Sequence, residues 1–170
     1  MAAKLDEHPE LNGLEEEDVS QALFRTLLRT LGHMRGAMEP FFAAHGISGP
    51  QWGALRVLSR AGAAGEKGLR LSELAGRLLI RPPSVTAIVD RLERRGLVKR
   101  TSSRTDMRVR EARLTGEGRR LVGQISAGHG ERIRSLFAGL DADQRGNLLD
   151  GLRKLDAQLE KLAPGNAARV

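Results

Sequence analysis

Two adjacent prolines, Pro82 and Pro83, separate two short segments of helical pattern. Proline cannot continue a helix but fits the first turn of a new one, so one helix must end before this point and another must begin. Four apolar residues of the second segment share one face at 3.6-residue spacing: Val85, Ile88, Val89 and Leu92. The pattern therefore predicts two helices in close order, joined by a turn of a few residues.

The segments on either side extend this unit. Ser72 is a suitable N-cap for the helix SELAGRLL, and Gly96 is a suitable C′ residue for the second helix. Residues 97–101 then have the pattern of a short strand, 102–107 that of a turn, and 108–115 that of a returning strand. Helix, turn, helix and hairpin in this order predict a winged helix–turn–helix, whose second helix can enter the major groove of DNA.

Helical patterns surround this unit. Apolar residues recur every three or four positions from Val19 to Met38, and Asp141 is expected to cap a last helix. Five leucines of that helix alternate four and three apart, as in a coiled-coil seam: Leu148, Leu152, Leu155, Leu159 and Leu162. We expect a mainly α fold with a small β-hairpin wing. The expected parts are a flexible N-terminal arm (1–14), a helical dimerisation region (15–47 and 116–163) and a winged helix–turn–helix DNA-binding domain (48–115).

Positive charge is concentrated in this unit. Between Arg91 and Arg113 the chain has nine basic and three acidic residues, which leaves +6 of a total net charge of +7. Charge runs are often only a solvated face, but arginines at a loop tip and beside a helix end are also what polyphosphate recognition requires. From the charge alone, a solvated face and a polyanion site remain open. In the second case, about three to five of seven basic residues are expected to contact phosphate: Arg91, Arg94, Arg95, Lys99, Arg100, Arg104 and Arg108.

Other classes of protein are disfavoured. Cysteine is absent, which excludes disulfides and thiolate metal sites, and no apolar run approaches the ~20 residues of a membrane span. The four histidines, His8, His33, His45 and His129, show no metal-ligand spacing. No nucleophile–base pair or phosphate-binding glycine loop is present, so we expect no enzyme, no cofactor and no membrane partner. A cytoplasmic protein is the expectation.

The motif SELAGRLLIRPPSVTAIVDRLERRGLVKR, followed by D-M-R from Asp106 and L-T-G-E-G from Leu114, resembles the MarR family of transcriptional regulators. The resemblance runs from about Trp52 to Leu162. It implies an obligate homodimer that binds a pseudo-palindromic site in double-stranded DNA, usually as a repressor. It also implies a cleft between the dimer helices and the DNA-binding lobe, often occupied by a small aromatic or anionic effector that releases DNA.

The predicted DNA-binding residues are Arg81, Pro83, Ser84, Thr86, Ala87, Arg91, Arg94, Arg95, Arg104 and Arg108. Arg104 is the first choice for the minor groove and Arg108 the second, whereas Ser84 could instead be a helix cap. Asp90 would repel phosphate unless it pairs with a wing arginine such as Arg108, so Asp90 and Asp106 are expected to position the wing. Ala87 departs from the basic residue of many relatives; it can touch a thymine methyl but cannot hydrogen-bond guanine.

Seven residues fall where the family's ligand cleft tends to be lined: His33, Met34, Phe41, Phe42, His45, Trp52 and Arg56. Ordinary core packing is an equal alternative for the apolar members. The rival to a ligand-responsive, sequence-specific regulator is an architectural DNA-binding protein with little sequence preference. A winged helix used for protein–protein contact is a further alternative, against which the basic wing argues.

Overall fold

The computed structural model describes residues 16–102 and 110–162. The chain is mainly helical with a small sheet, as the sequence predicts. Its elements are α1 (Glu16–Ala43), α2 (Gly49–Ala63), β1 (Leu69–Arg70), α3 (Leu71–Leu78), α4 (Pro82–Arg94), β2 (Val98–Ser102), β3 (Arg110–Leu114), α5 (Gly116–Leu136) and α6 (Ala142–Leu162). The chain divides into two compact units after Ser126, so that α5 begins in the first unit and ends in the second.

The core of the first unit is built from the predicted apolar faces. All four apolar residues of the α4 pattern are buried, together with Leu55 of α2 and Leu74 of α3. The three strands form an antiparallel sheet in the order β1-β3-β2. In this sheet Val98 pairs with Leu114, and both are buried. The sheet therefore closes the open side of the three-helix unit and gives β2 and β3 a fixed base.

The end of α4 and the start of α6 lie where the sequence predicts them, whereas the start of α3 does not. Gly96 adopts a left-handed φ of 69° after α4, and Asp141 caps α6 by accepting the N–H of Gln144 at 2.8 Å. Ser72 is not the N-cap of α3, so this prediction is wrong. The cap is Arg70, two residues before Ser72, and the helix begins at Leu71, because the side chain of Glu73 accepts the backbone N–H of Arg70 at 2.9 Å.

An ion pair fixes the outer side of α3. Arg77 donates to both carboxylate oxygens of Glu66, in the loop after α2, at 2.9 and 2.8 Å. The side-chain hydrogen bond lowers the pKa of Glu66 and raises the pKa of Arg77. Because the pair is exposed, it contributes little to the stability of the fold.

The segment Leu114–Gly118 joins the wing to α5 through the hydroxyl group of Thr115. This hydroxyl donates to the carbonyl oxygen of Gly96 at 2.6 Å and accepts the N–H of Gly118 at 3.0 Å. The backbone N–H of Thr115 donates to the carbonyl oxygen of Leu97 at 3.1 Å. The hydroxyl of Thr115 thereby connects the turn after α4 with the start of α5.

Candidate nucleic-acid interface

The side of α4 opposite its buried face carries five residues, which we call the recognition face: Pro83, Ala87, Asp90, Arg91 and Arg94. All are exposed except Asp90, which is half-buried. Burial of the apolar face holds the helix on its domain, and the recognition face stays open along the length of the helix. This arrangement is the one required of a helix that enters the major groove.

The residues that flank the start of the recognition face are also exposed. Arg81 occupies the N-cap position of α4 and Ser84 lies in the first turn, so Ser84 is not the cap residue. The hydroxyl of Thr86 donates to the carbonyl oxygen of Pro82 at 3.2 Å. Its oxygen lone pairs remain able to accept a hydrogen bond, but its proton is used within the helix, which limits Thr86 as a donor to phosphate.

Asp90 has a partner in the described part of the wing. The Nη2 atom of Arg100 lies 2.5 Å from Oδ1 of Asp90, and its Nη1 atom donates to Oε2 of Glu93 at 2.7 Å. The partner suggested by the sequence, Arg108, lies outside the described residues. The structure therefore gives Asp90 a contact with the wing through Arg100, a residue that the sequence suggested only as a phosphate contact.

Arg95, at the C-cap of α4, points back into the protein. Its Nη1 atom donates to the carbonyl oxygen of Gly46 in the turn between α1 and α2. Gly46 has a φ of 68°, and a β-carbon at this position would lie 3.2 Å from Nη2 of Arg95. Arg95 is exposed, but its guanidinium is engaged by this turn, whereas the neighbouring Arg91 and Arg94 have no described ion pair.

Three predicted wing residues, Arg104, Asp106 and Arg108, lie outside the described residues. Their roles at the minor groove and in the wing stay predictions.

The predicted ligand residues separate into three groups. Met34 and Phe42 line a cavity of about 490 Å³ between α1, α2 and the end of α3. Trp52 is buried against Phe42, with ring centroids 6.2 Å apart, and Nδ1 of His45 donates to the carbonyl oxygen of Phe41 at 2.9 Å. His33 and Arg56 are exposed. The structure thus brings two of the seven to a cavity and places an aromatic cluster beside it.

Several cavity residues were not predicted from the sequence: Arg35, Met38, Glu39, Gly49, Pro50, Gly53, Leu78 and Ile80. Met38 was identified only as part of the apolar pattern of α1. Leu78 and Ile80 come from a different helix and the turn after it, so no spacing in the sequence connects them with Met34. The cavity is mainly apolar, with Arg35 and Glu39 as its charged wall residues.

Within the described ranges, no group of three or more histidine or acidic side chains is placed to hold a metal ion. No described helix combines the length and apolar character needed to cross a membrane.

Helices α2, α3 and α4 share a buried core, and α4 leaves its recognition face open. Strands β2 and β3 form a hairpin beside it. This arrangement defines a winged helix–turn–helix DNA-binding protein. A model described as the MarR family matches residues 45–108. The transcriptional regulator FarR of Neisseria gonorrhoeae is 32% identical over 117 residues, which cover 69% of this chain and 77% of FarR. The chain belongs to the MarR family and is a DNA-binding transcriptional regulator.

Solved structures show the same fold. A mutant of Escherichia coli MarR complexed with operator DNA superposes with a TM-score of 0.74 at 20% identity, covering 84% of this chain and 99% of that one. Bordetella bronchiseptica BpsR, whose DNA binding is regulated by 6-hydroxynicotinic acid, superposes with a TM-score of 0.70 at 21% identity, covering 79% of this chain and 98% of that one.

Proposed function

We propose that this protein is a ligand-responsive, sequence-specific repressor that binds a pseudo-palindromic operator as a homodimer. The observation that carries the proposal is the recognition face, exposed along α4 and flanked by the wing. Direct readout would come from Pro83, Ser84, Thr86 and Ala87, near the start of the helix. Arg91 and Arg94, nearer its end, would bind the backbone phosphates.

The composition of the recognition face suggests how sequence is read. Ala87 is exposed in the middle of the face and has no polar atoms in its side chain. It can contact the methyl group of thymine, and Pro83 offers a second apolar surface one turn earlier. We therefore expect each half-site to contain a thymine opposite this pair, with most of the affinity supplied by arginine contacts to the backbone phosphates.

Selection of bound sequences from a random pool of duplex DNA tests the proposal. The expected result is two related half-sites in inverted orientation, about one helical turn apart from centre to centre. Recovery of sequences without a shared motif would contradict it and favour an architectural DNA-binding protein. Repetition of the selection with candidate effectors then tests whether a ligand releases the DNA.

Exposed leucines support the homodimer. On α1, Leu23, Phe24 and Leu28 are 59%, 63% and 56% exposed, and on α6 all five seam leucines are exposed by 41% or more. An isolated protomer would leave both apolar faces in water, which soluble monomers rarely do. A two-fold symmetric dimer buries the same faces on both protomers at once, so we infer that α1 and α6 form the interface.

Introducing a charge into the α6 seam is expected to dissociate the homodimer. Leu155→Asp would place a carboxylate among apolar side chains at the interface, where an unpaired charge is strongly unfavourable. Light scattering at micromolar concentration should give a dimer mass for the wild type and a lower average mass for the variant. Ala157→Asp, on the opposite exposed side of α6, is the charge-matched control and should remain dimeric. A monomer mass for the wild type would contradict the prediction.

An effector is proposed to bind in the 490 Å³ cavity. Its apolar walls and the guanidinium of Arg35 suit a small molecule with an aromatic body and an anionic group. The cavity is bounded by α1, in the proposed interface, and by the last turn of α3 with the turn that leads into α4. A ligand there would contact both α1 and the turn that leads into α4, and we propose that its binding shifts the orientation of α4 relative to α1 and so weakens DNA binding.

A further inference from the structure

Arg100 contacts α4 at three points from the start of the wing. Its guanidinium nitrogens bind Asp90 and Glu93 at 2.5 and 2.7 Å, and Nη2 lies 3.5 Å from the carbonyl oxygen of Thr86. The three acceptors are four and three residues apart, so they lie on one side of the helix in successive turns. A single planar side chain therefore connects β2 with more than half of the recognition helix.

Glu93 fixes the position of β2 along α4, because it binds Arg100 in two ways. Its Oε1 atom accepts the backbone N–H of Arg100 at 2.9 Å, while its Oε2 atom accepts the guanidinium of the same residue. One carboxylate thus binds both the main chain and the side chain of Arg100. Val98, two residues earlier on the same face of β2, is buried in the core. The base of the wing is therefore held by both Val98 and Arg100.

The contacts leave Arg100 little capacity for DNA. Its side chain is only 16% exposed, against 47% for Asp90 and 37% for Glu93. A phosphate contact would have to replace charge-assisted hydrogen bonds that are already formed in good geometry. We propose that Arg100 is a positioning residue, which sets the angle between the wing and the recognition helix and contacts no phosphate. This inference rests on the proposed operator binding.

The residue type matters to this role. A guanidinium presents its donors in a rigid planar fork and can satisfy both carboxylates, whereas the ammonium of lysine is a point charge on a flexible stem. Arg100→Lys would keep the net charge and lose the fork. If the role is to position the wing, the substitution should reduce discrimination between operator and scrambled DNA, although the charge facing the DNA is unchanged.

Asp90 allows an independent test on a half-buried side chain of the recognition face. Removal of its negative charge should by itself strengthen binding to any DNA, because repulsion of phosphate is relieved. Loss of its contact with Arg100 should weaken binding to the operator alone, because the wing is no longer held. Asp90→Asn retains a hydrogen-bond acceptor for Arg100, whereas Asp90→Ala retains none, so the two variants separate charge from position.

The experiment measures dissociation constants on the selected operator and on scrambled duplex DNA at several salt concentrations. We expect Arg100→Lys to bind the operator about tenfold more weakly, with a much smaller change on scrambled DNA and an unchanged salt slope. Asp90→Ala should bind scrambled DNA more tightly than the wild type and show a lower operator preference. Asp90→Asn should bind both DNAs more tightly and keep that preference.

Lys99→Met is the matched control, because Lys99 is the exposed neighbour of Arg100 on the other face of β2. It should weaken binding to both DNAs in parallel and make the slope shallower by about 2 per dimer if each Lys99 binds one phosphate. Thermal unfolding followed by circular dichroism verifies that each variant is folded. If Arg100→Lys is unstable, the Asp90 pair still decides the question.

Several results would overturn the inference. An unchanged operator preference in Arg100→Lys or in Asp90→Ala would show that the contacts of Arg100 with α4 do not position the wing. A shallower salt slope for Arg100→Met, by the amount found for Lys99→Met, would identify Arg100 as a phosphate contact. If the wild type itself shows no preference for any selected sequence, it is the proposed function that fails.

Discussion

Gly118→Ala is expected to lower the free energy of unfolding by about 3 kcal/mol or more, because a β-carbon at this position has no space. It would overlap the carbonyl oxygen of Leu97 and lie 3.0 Å from the carbonyl carbon of the same residue. It would also lie 3.3 Å from Cδ2 of Leu114, a buried side chain. The nearest obstacle is therefore main chain, which cannot change rotamer to make room.

The surrounding hydrogen bonds prevent the main chain from moving away. The carbonyl oxygen of Leu97 accepts the N–H of Thr115, and the N–H of Leu97 donates to the carbonyl oxygen of Leu92. Gly118 is fixed from its own side by the bond between its N–H and the hydroxyl of Thr115. Relief of the overlap would break at least one of these bonds or separate α5 from the turn after α4.

Gly123→Ala is the matched control in the same helix. Apart from its chain neighbours and the backbone of its own helix, no atom of the described residues lies within 4 Å of the position of its β-carbon, and the residue is exposed. Alanine there should leave stability unchanged or raise it by about 0.5–1 kcal/mol, because glycine is a poor helix former. Thermal or denaturant unfolding at one protein concentration compares the two variants. A melting temperature of Gly118→Ala equal to that of the wild type would contradict the packing argument.

The same junction shows how far a sequence pattern can be explained physically. The most specific sequence signal for the family is the D-x-R of the wing followed by L-T-x-x-G, and the second part of this signal runs from Leu114 to Gly118. In the structure Leu114 is buried, Thr115 caps α5 with its hydroxyl, and Gly118 gives the helix close access to the carbonyl group of Leu97. Each residue of the pattern has a separate role at one contact, which explains why the pattern is informative.

Periodic features of the sequence predicted the helices well, because burial of an apolar face and the end of a helix are determined locally. The apolar face of α4, its proline start and its glycine end are confirmed. The N-cap of α3 was missed because Glu73 stabilises Arg70 as the cap, two residues before the serine that the sequence favoured. Two equally good local capping schemes cannot be distinguished from the sequence alone.

Contacts between segments that are distant in the sequence could not be predicted from these local patterns. Arg95 was expected on phosphate, but it binds the carbonyl oxygen of Gly46, which is 49 residues away. Arg100 was expected among the phosphate contacts as well, and it is engaged by Asp90 and Glu93. An arginine in a basic run has the same pattern in the sequence whether it faces DNA or its own protein, so only the geometry distinguishes the two.

A steep dependence of DNA binding on salt is the second large effect that we expect. Of the seven basic residues first considered, removal of Arg95 and Arg100 leaves five candidates per protomer: Arg91, Arg94, Lys99, Arg104 and Arg108. If three to five of them bind phosphate in each protomer, a homodimer makes about six to ten contacts, and counterion release gives a log–log slope of roughly −5 to −9. Affinity should then fall by about 10³ to 10⁵ between 50 and 200 mM salt.

Adjacent arginines at the end of α4 provide the control for this prediction. Arg94→Met should make the slope shallower by about 2 per dimer, since each protomer loses one phosphate contact. Arg95→Met should leave the slope unchanged, because its guanidinium is engaged by the turn at Gly46. The wild-type slope should be nearly the same on operator and scrambled DNA, because it arises from backbone neutralisation and not from base contacts. A wild-type slope shallower than about −3 would mean that the basic residues are mainly solvated and that the affinity has another origin.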